Sequence, residues 1–499
     1  MKLFELLSGI GTDPVPGPKH KVDITGICSD SRSVKAGDVF IALPGVKHDG
    51  SLYVQEAVSK GAVAVVTEKE VTEARVPVFK VDNARKAYAL VSAKFFGNPA
   101  TELTMLAVTG TNGKTTTAWL LESICAASGA ATGLLGTIAN RWGGQSAPPS
   151  HTTMDAFELH KTLRAMVDQG VETVIMEVSS HALAQERVHG VTFRAAAFTN
   201  LTRDHLDYHK DMESYFQAKR KLFTDNLSVS GVGVVNGDDT SAARIFNELR
   251  QQKRMAWKFS RLGNGEISAA GVELTTQGIK ATLKTFAGDI PIKSALIGAH
   301  NLDNILAAAG TALSAGFSRR DVQEGIERMT GVPGRMQRLE GKGITVLVDY
   351  AHTDDALKKA LESVRGVTKG RVLCVFGCGG ERDTGKRPLM GEVAAEACDL
   401  PIVTSDNPRG EAPDAIIGEV IPGLEKAGLR RVSPAKAKSG ERGYMVEADR
   451  AQAIALALAL AATGDTVLIA GKGHEDYQEV AGDKKPFSDF GEARKALGV

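Results

Sequence analysis

Short apolar runs alternate with amphipathic stretches along most of this chain. Runs of about four to eight apolar residues bounded by turn residues are typical of buried strands, and longer stretches with a helical period are typical of helices. In the first hundred residues this pattern predicts strands at 38–43, 62–66 and 76–81 and helices at 53–59 and 84–96. Together they form a small α/β module, which Asn98 and Pro99 end.

The central region repeats the alternation on a larger scale. Apolar strands are predicted at 103–108, 171–177, 195–200 and 231–236, and helices separate them. Strands that are apolar on both faces and alternate with helices are typical of a mainly parallel sheet covered on both sides. We therefore expect a large central α/β domain.

The segment 331–343 is rich in glycine and charged residues, and we expect it to be a hinge. Beyond it, strands are predicted at 345–350, 372–377, 400–405 and 466–470, again with helices between them. This pattern predicts a Rossmann-like α/β domain. A chain of this length is too long for one hydrophobic core, and we expect three α/β domains, at 1–99, 100–333 and 334–499.

The amino-acid composition bears on which classes of partner, cross-link and cellular location to expect. The 499 residues include 60 Lys and Arg against 59 Asp and Glu, so the charge gives no support to a nucleic-acid or membrane partner. The five cysteines lack CxxC spacing, and neither a disulfide framework nor a zinc knuckle is indicated. No signal peptide or membrane-spanning stretch is predicted, and we expect a cytoplasmic protein.

Candidate chemistry begins at the first central strand and the turn after it, AVTGTNGKTTT. An apolar strand, a turn containing Gly110 and Gly113, and a helix from Thr115 onward predict a phosphate cradle. Lys114 is placed to neutralise the β- and γ-phosphates, and the Thr115 hydroxyl to reach Mg²⁺. Val108 stands where the usual phosphate loop has its first glycine, so an ordinary strand-to-helix turn remains an alternative.

Three other features of the central region carry possible ligands. The second central strand ends in Glu177, a candidate Mg²⁺ ligand if that strand lies near the phosphate loop. The loop TNLTRDHLDYH contains His205 and is compatible with a hard-metal site or with a polar capping loop. Lys219 lies on a helix that Asp211 can cap, and the residues alone favour a solvated basic face.

Polar loops follow three predicted strands of the last domain. They are 377–387 (GCGGERDTGKR), 406–409 (DNPR) and 471–477 (GKGHEDY). The carboxyl ends of parallel strands meet at one edge of a sheet, and mixed charges there suit a zwitterionic ligand such as an amino acid. Ordinary turn chemistry is the alternative for each loop taken alone.

In order along the chain, the motifs TGTNGKTT, EVSSHALAQERV, TNLTRDHLDYH, AKRKLF, GAHNLDN, PGRM, VDYAHT and DNPR resemble those of the Mur ligase family. The shortened phosphate loop looks like this family's own variant. The resemblance implies an N-terminal domain that holds a uridine nucleotide, a central phosphate-loop ATPase and a C-terminal domain for an incoming amino acid. It also implies ATP-dependent addition of meso-2,6-diaminopimelate to the D-glutamate γ-carboxylate of UDP-N-acetylmuramoyl-L-Ala-D-Glu, through an acyl phosphate, in peptidoglycan precursor synthesis.

By this resemblance the ATP contacts are phosphate-loop residues, two adenine contacts and two hinge-side contacts. They are Gly110, Thr111, Asn112, Gly113, Lys114, Thr115, Thr116, Asn301, Asn304, Arg335 and Asp349. Thr115, Glu177 and His205 would surround Mg²⁺. Lys219 would carry a CO₂-derived carbamate, because a carbamate, unlike an ammonium, can ligate a metal. Lys114, Lys219 and His205 are then the expected catalytic residues.

The same resemblance implies two sets of substrate contacts. Those to the UDP-linked substrate would be Ser31, His48, Thr152, Thr153, Ser179, Gln185 and Arg187. Those to diaminopimelate would be Arg382, Asp406, Asn407, Pro408, Arg409, Gly471 and Glu475. Arg409 can bind, with two parallel N–H bonds, the carboxylate that distinguishes diaminopimelate from lysine.

Asp354 and Met154 depart from the family's pattern, and both are expected in loops, where local backbone geometry is the question. Two related ligases remain alternatives: a lysine-adding member, disfavoured by Arg409, and a synthetase that adds glutamate to folate, disfavoured by DSR at 30–32 and by DNPR. A regulatory ATPase that moves domains without ligation is a third alternative. A monomer is expected.

Overall fold

The computed structural model describes residues 1–10, 22–45, 49–71 and 74–499. The N-terminal elements are α1 (Leu3–Leu7), β1 (Gly26–Cys28), β2 (Asp38–Ala42), α2 (Val54–Ser59), β3 (Ala64–Thr67), β4 (Val78–Lys80) and α3 (Ala84–Phe95). Strands β1 to β4 form a parallel sheet in that order. β2 and β3 are buried along their whole length, which explains why they appear as unbroken apolar runs.

The central strands are β5 (Thr104–Thr109), β6 (Thr132–Leu135), β7 (Asn140–Trp142), β8 (Gln145–Ala147), β9 (Thr173–Glu177), β10 (Phe193–Phe198), β11 (Leu227–Asn236), β12 (Met255–Phe259), β13 (Ser268–Thr275), β14 (Gly278–Lys284) and β15 (Ile290–Ser294). The central helices are α4 (Lys114–Ala127), α5 (Ala156–Asp168), α6 (Ser180–Ala184), α7 (Leu206–His209), α8 (Met212–Thr224), α9 (Thr240–Gln251), α10 (Ala299–Ala315) and α11 (Arg319–Arg328).

The central sheet has the order β12-β11-β10-β5-β9-β6-β7-β8, parallel from β12 to β6 and antiparallel at β7 and β8. β9 pairs with β5, so the expected neighbourhood of Glu177 and the phosphate-loop strand is confirmed. Leu106 and Val108 of β5 face one apolar core, and Met105 and Ala107 face the other. A small antiparallel sheet, β13-β14-β15, was not anticipated.

The C-terminal strands are β16 (Gln337–Gly341), β17 (Ile344–Asp349), β18 (Val372–Phe376), β19 (Leu400–Val403), β20 (Met445–Val446), β21 (Thr466–Ala470), β22 (Tyr477–Val480) and β23 (Asp483–Pro486). The C-terminal helices are α12 (Asp354–Arg365), α13 (Lys386–Ala397), α14 (Pro413–Lys426), α15 (Pro434–Lys438), α16 (Arg450–Leu460) and α17 (Asp489–Leu497).

These strands form a sheet in the order β16-β17-β21-β18-β19-β20, in which only β16 is antiparallel to its neighbour. β22 and β23 form a separate antiparallel hairpin. The expected hinge at 331–343 is partly strand, because β16 occupies its second half as an edge strand beside β17. Over the described residues, the helices are all too short or too polar to cross a membrane.

Candidate active site

The turn between β5 and α4 depends on two glycines. Gly110 and Gly113 have φ values of 147° and 86°, a region that L side chains rarely adopt. A Cβ at Gly110 would collide with Thr199 Oγ1, and one at Gly113 with Asn304 Oδ1. Thr199 Oγ1 also donates a hydrogen bond to Asn112 O at 2.6 Å, which braces the turn from the end of β10.

Two lysine amines meet at one carbonyl oxygen of this turn. Lys114 Nζ donates to Gly110 O at 2.9 Å and to Thr111 O at 2.8 Å, and Lys219 Nζ donates to the same Gly110 O at 2.7 Å. Lys219 is 1% exposed and lies over the ring of Tyr215. Burial, and then the charge of Lys114, hold the pKa of Lys219 well below its usual range. Lys219 therefore does not lie on a solvated basic face, and its neutral form is favoured more than in an exposed lysine.

Glu177 ends β9 with its carboxylate fully buried. Thr115 Oγ1 and Thr137 Oγ1 each donate to Glu177 Oε2 at 2.9 Å, and Thr137 N donates to Oε1 at 2.8 Å. The carboxylate thus lies at the N-terminal turn of α4, where negative charge is stabilised. Sequence reasoning missed Thr137, because a threonine after a short strand belongs to no motif.

His205 precedes α7 in a left-handed conformation, with φ of 54°. Its ring meets that of His181 edge-on, 4.8 Å between centroids, and its Nε2 is 3.4 Å from Asp204 Oδ2. Desolvation lowers the pKa of His205 to about 4. The imidazole is therefore neutral near pH 7, the form that binds metals.

The donor set fits Mg²⁺. Thr115 and Glu177 offer adjacent oxygen atoms, the ligands that this ion prefers. Over the residues the structure describes, no group of three or more His, Cys, Asp or Glu is arranged to hold a metal. Few protein ligands are typical of Mg²⁺ sites that also bind phosphates and water.

A cavity of about 520 Å³ opens beside the phosphate loop, between the central and C-terminal sheets. Residues 111–116 line it together with Asn301, Asn304, Arg335 and Asp349, so the structure brings together the predicted ATP contacts around Gly110. Thr152 and His205 line the same cavity. Asn304 Nδ2 donates to Asn301 Oδ1 at 2.9 Å, so the two amides hold each other in place.

Arg335 and Asp349 come from the C-terminal side of the cavity. The Arg335 guanidinium stacks on the Tyr350 ring, 4.5 Å from its centroid. Asp349 accepts hydrogen bonds from Met336 N at 2.8 Å and Ala351 N at 2.9 Å. Burial raises the pKa of Asp349.

Four residues predicted to contact the UDP-linked substrate form one network next to Glu177. Arg187 donates to Thr153 O at 2.7 Å and to Gln185 Oε1 at 2.8 Å, and Ser179 N donates to Thr153 Oγ1 at 3.0 Å. Thr153 Oγ1 in turn donates to Glu177 O at 2.9 Å. This places the network at the carboxyl end of β9, as the ends of parallel strands predict.

Two further residues predicted for this substrate belong to the N-terminal region. Ser31 is 7% exposed, and its Oγ donates to Glu56 Oε2 at 2.7 Å, apart from the network around Arg187. His48 lies outside the described residues.

The residues predicted for the amino acid gather at the ends of β19 and β21. Lys472 Nζ donates to Asn407 Oδ1 at 2.9 Å and to Glu475 Oε2 at 3.0 Å, and Asn407 Nδ2 donates to the same Glu475 oxygen at 2.9 Å. Arg409 Nη1 donates to Gly380 O at 2.7 Å. The buried Lys472 is therefore a structural centre that the motif alone did not reveal.

The other residues of this set lie around that centre. Asp406 and Pro408 flank Asn407, and a Cβ at Gly471 would collide with Asp406 Oδ2, so a glycine is needed there. Arg382 is exposed on the loop between β18 and α13. The three polar loops thus meet at one edge of the C-terminal sheet.

Both departures from the family pattern have a local explanation. Asp354 does not lie in a loop as expected: it is the first residue of α12, after the N-cap Thr353, and a carboxylate in a first turn is favourable. Met154 packs against the core that covers one face of the central sheet.

A relative from Gloeobacter violaceus, "UDP-N-acetylmuramoyl-L-alanyl-D-glutamate--2,6-diaminopimelate ligase", is 46% identical over 501 residues, which cover 100% of this chain and 98% of the relative. The chain belongs to the Mur ligase family. Family models match residues 23–96 (Mur ligase family, catalytic domain), 108–312 (Mur ligase middle domain) and 334–473 (Mur ligase, glutamate ligase domain).

Another relative and two solved structures are similar over most of this chain. A relative of the same description from Geobacter metallireducens is 45% identical, covering 100% of this chain and 98% of its own. A solved structure of a ligase with that description is 32% identical, with a TM-score of 0.73 over 100% of this chain and 99% of the other. A MurF ligase from Thermotoga maritima, solved with ADP, shares the fold at 19% identity and a TM-score of 0.58, over 90% of this chain and 94% of the other.

Proposed function

We propose that this Mur ligase adds meso-2,6-diaminopimelate to the D-glutamate γ-carboxylate of UDP-N-acetylmuramoyl-L-Ala-D-Glu at the expense of ATP. The proposal rests mainly on one observation: the chain has a phosphate loop on its central sheet, and on its C-terminal sheet a cluster of cationic and anionic side chains that can bind an amino acid. The full-length similarity to relatives described as 2,6-diaminopimelate ligases supports this choice of substrate.

Two sets of residues divide the work. The nucleotide end consists of Gly110, Lys114, Thr115, Glu177 and Lys219. The amino-acid end consists of Asn407, Arg409, Lys472 and Glu475. We assign ATP to the first and diaminopimelate to the second, with the network around Arg187 holding the UDP-linked substrate between them.

The reaction has two steps. A γ-carboxylate oxygen of D-glutamate bonds to the γ-phosphorus of ATP, and ADP leaves with the electron pair of the broken P–O bond. An amine of diaminopimelate then attacks the acyl carbon, phosphate leaves and the amine loses a proton, which forms the amide. Lys114 is positioned to offset charge on the transferring phosphoryl group, so rate depends mainly on positioning and electrostatics.

Mg²⁺ bound beside Thr115 and Glu177 would supply further charge neutralisation at the phosphates. Lys219 would contribute as a carbamate: its neutral amine attacks CO₂, an N–C bond forms and a proton leaves. The lowered pKa of Lys219 favours the neutral amine that this step needs. A carbamate would also replace repulsion between Lys219 and Lys114 by attraction, since both lie against Gly110 O.

The test uses the purified chain with ATP, Mg²⁺ and UDP-N-acetylmuramoyl-L-Ala-D-Glu labelled with oxygen-18 in the γ-carboxylate. With diaminopimelate, we expect one product amide for each phosphate released, and phosphate that carries one labelled oxygen. Unlabelled phosphate would contradict the acyl phosphate. Phosphate release without an amide product would indicate a regulatory ATPase instead.

A further inference from the structure

An internal carboxylate lies beside the guanidinium of Arg409. Glu479 Oε2 is 3.6 Å from Arg409 Nε, and the two side chains are 25% and 20% exposed. On the other side of the guanidinium, Nη1 donates to Gly380 O at 2.7 Å. The guanidinium of Arg409 therefore already interacts with a carboxylate and a carbonyl oxygen of the protein.

Backbone hydrogen bonds fix this pair. Arg409 N donates to Glu479 O at 3.1 Å, and Ala481 N donates to Arg409 O at 2.7 Å. Glu479 N also donates to Asn407 Oδ1 at 3.0 Å. Most exposed ion pairs contribute little because two long side chains must be ordered, whereas here the β22–β23 hairpin already holds Glu479 against the loop of Arg409.

We propose that Glu479 competes with the incoming amino acid for Arg409 and thereby sets the selectivity of the amino-acid end; this inference rests on the proposed function. A side-chain carboxylate of diaminopimelate that approaches Arg409 must displace Glu479 or bind against its charge, which weakens binding. Lysine has no carboxylate at that position, and Arg409 then keeps Glu479 as its partner. Glu479 therefore weakens the binding of diaminopimelate. It also weakens the discrimination against lysine, because Arg409 is not left unpaired when lysine binds.

The test compares Glu479→Gln with Asp483→Asn, which removes the same charge from an exposed position on the same hairpin. KM and kcat are measured for diaminopimelate and for lysine in the full-length enzyme, with ATP and the UDP-linked dipeptide saturating. We expect the KM of Glu479→Gln for diaminopimelate to fall about 3- to 5-fold with kcat unchanged. Its kcat/KM for lysine should fall, so selectivity rises, and Asp483→Asn should match the wild type.

Two results would overturn the inference alone. A higher KM for both amino acids would mean that Glu479 binds the ammonium group that they share, and an unchanged KM and selectivity would mean that the ion pair has no role. ATP affinity reports whether the variant is folded, and Glu479→Ala should move both parameters in the same direction as Glu479→Gln. A wild type without diaminopimelate-dependent phosphate release would instead overturn the proposed function, and this inference with it.

Discussion

The nucleotide end and the amino-acid end balance their charges in opposite ways. At the nucleotide end, Lys114 and Lys219 share Gly110 O at 2.9 and 2.7 Å, so two potential cations lie side by side. At the amino-acid end, Lys472 already lies 3.0 Å from Glu475, and Arg409 lies 3.6 Å from Glu479.

Because of this difference, the nucleotide end can bind its ligand by charge, whereas the amino-acid end can select among ligands. At the nucleotide end, Lys114 donates to backbone carbonyls rather than to a carboxylate, so a polyphosphate can bind it without displacing an internal ion pair. Where the charges are already paired, a ligand binds only if it can replace the internal contacts with equally good ones. The first end is therefore suited to activation of a carboxylate, and the second to selection of an amine.

The largest effect is expected at Lys219. Lys219→Ala should lower turnover about 1,000-fold or more, because it removes the group proposed to position metal and phosphate. Lys221→Ala is the matched control, since Lys221 is a partly exposed lysine on the same helix that pairs with Glu186. Thermal melting checks the fold, and carbon-13 NMR in labelled bicarbonate checks for the carbamate signal. Near-normal turnover of Lys219→Ala would show that Lys219 has no role in activation at the nucleotide end.

A smaller loss is expected at Arg409. Arg409→Ala should lower kcat/KM for diaminopimelate about 100-fold, because the ligand carboxylate loses its charged partner. The affinity for ATP should stay within about 2-fold of the wild type, since Arg409 belongs to the other end. Steady-state kinetics and nucleotide binding measure the two quantities. Equal losses in both would show that the two ends do not act separately.

A loss of both stability and activity is expected at Arg387, which supports the loops of the amino-acid end through ion pairs. Its fully buried guanidinium donates to Glu411 at 2.9 Å through both Nη atoms and to Glu419 at 3.0 Å. It thereby joins the loop of Arg382 to the chain that follows Arg409. Arg387→Met should lower the free energy of unfolding by about 2 kcal/mol and kcat/KM for diaminopimelate about 10-fold.

Denaturant unfolding and kinetics check these values, with ATP affinity as the internal control. A variant that is less stable but keeps its full activity towards diaminopimelate would mean that Arg387 supports only the fold.

A fourth effect is a pH dependence of stability in the central region. His160 on α5 is 1% exposed, neither of its ring nitrogens has a hydrogen-bond partner, and burial lowers its pKa from 6.5 to about 4. The unfolded chain binds this proton below about pH 6.5 and the folded chain only below about pH 4. The stability that the neutral, buried His160 contributes is thus fully present above pH 6.5. Between pH 6.5 and about pH 4, the free energy of unfolding falls by about 1.4 kcal/mol for each pH unit.

His160→Leu should remove that slope. Unfolding free energies of both proteins at pH 7, 6 and 5 measure it, and the difference between them isolates His160 from other histidines. Parallel curves would contradict the assignment of this slope to His160.

Sequence predicted the nucleotide end better than the amino-acid end, for a physical reason. The phosphate turn is local: Gly110, Gly113 and Lys114 lie within five residues of one another along the chain, and buried strands such as β5 appear as apolar runs. Asp211 was likewise expected to cap a helix, and it accepts a hydrogen bond from Ser214 N at the start of α8.

The sequence predicts that the loops at 406–409 and 471–477 meet, but not which side chains pair between distant segments. Lys472 reaches Asn407, and Arg409 meets Glu479, only after the sheet has brought separate strand ends together. β16 was hidden because an edge strand tolerates charged residues and shows no apolar run. The burial of Lys219 could not be inferred from three neighbouring basic residues, of which it alone is fully buried.

Phosphate release tests whether one end activates a carboxylate while the other selects the amine. The assay contains ATP, Mg²⁺ and UDP-N-acetylmuramoyl-L-Ala-D-Glu, with no amino acid, with lysine or with meso-2,6-diaminopimelate. We predict sustained phosphate release with diaminopimelate, and release at least about 10-fold slower with lysine or with no amino acid. Equal rates under all three conditions would show that phosphate release does not depend on which amino acid binds.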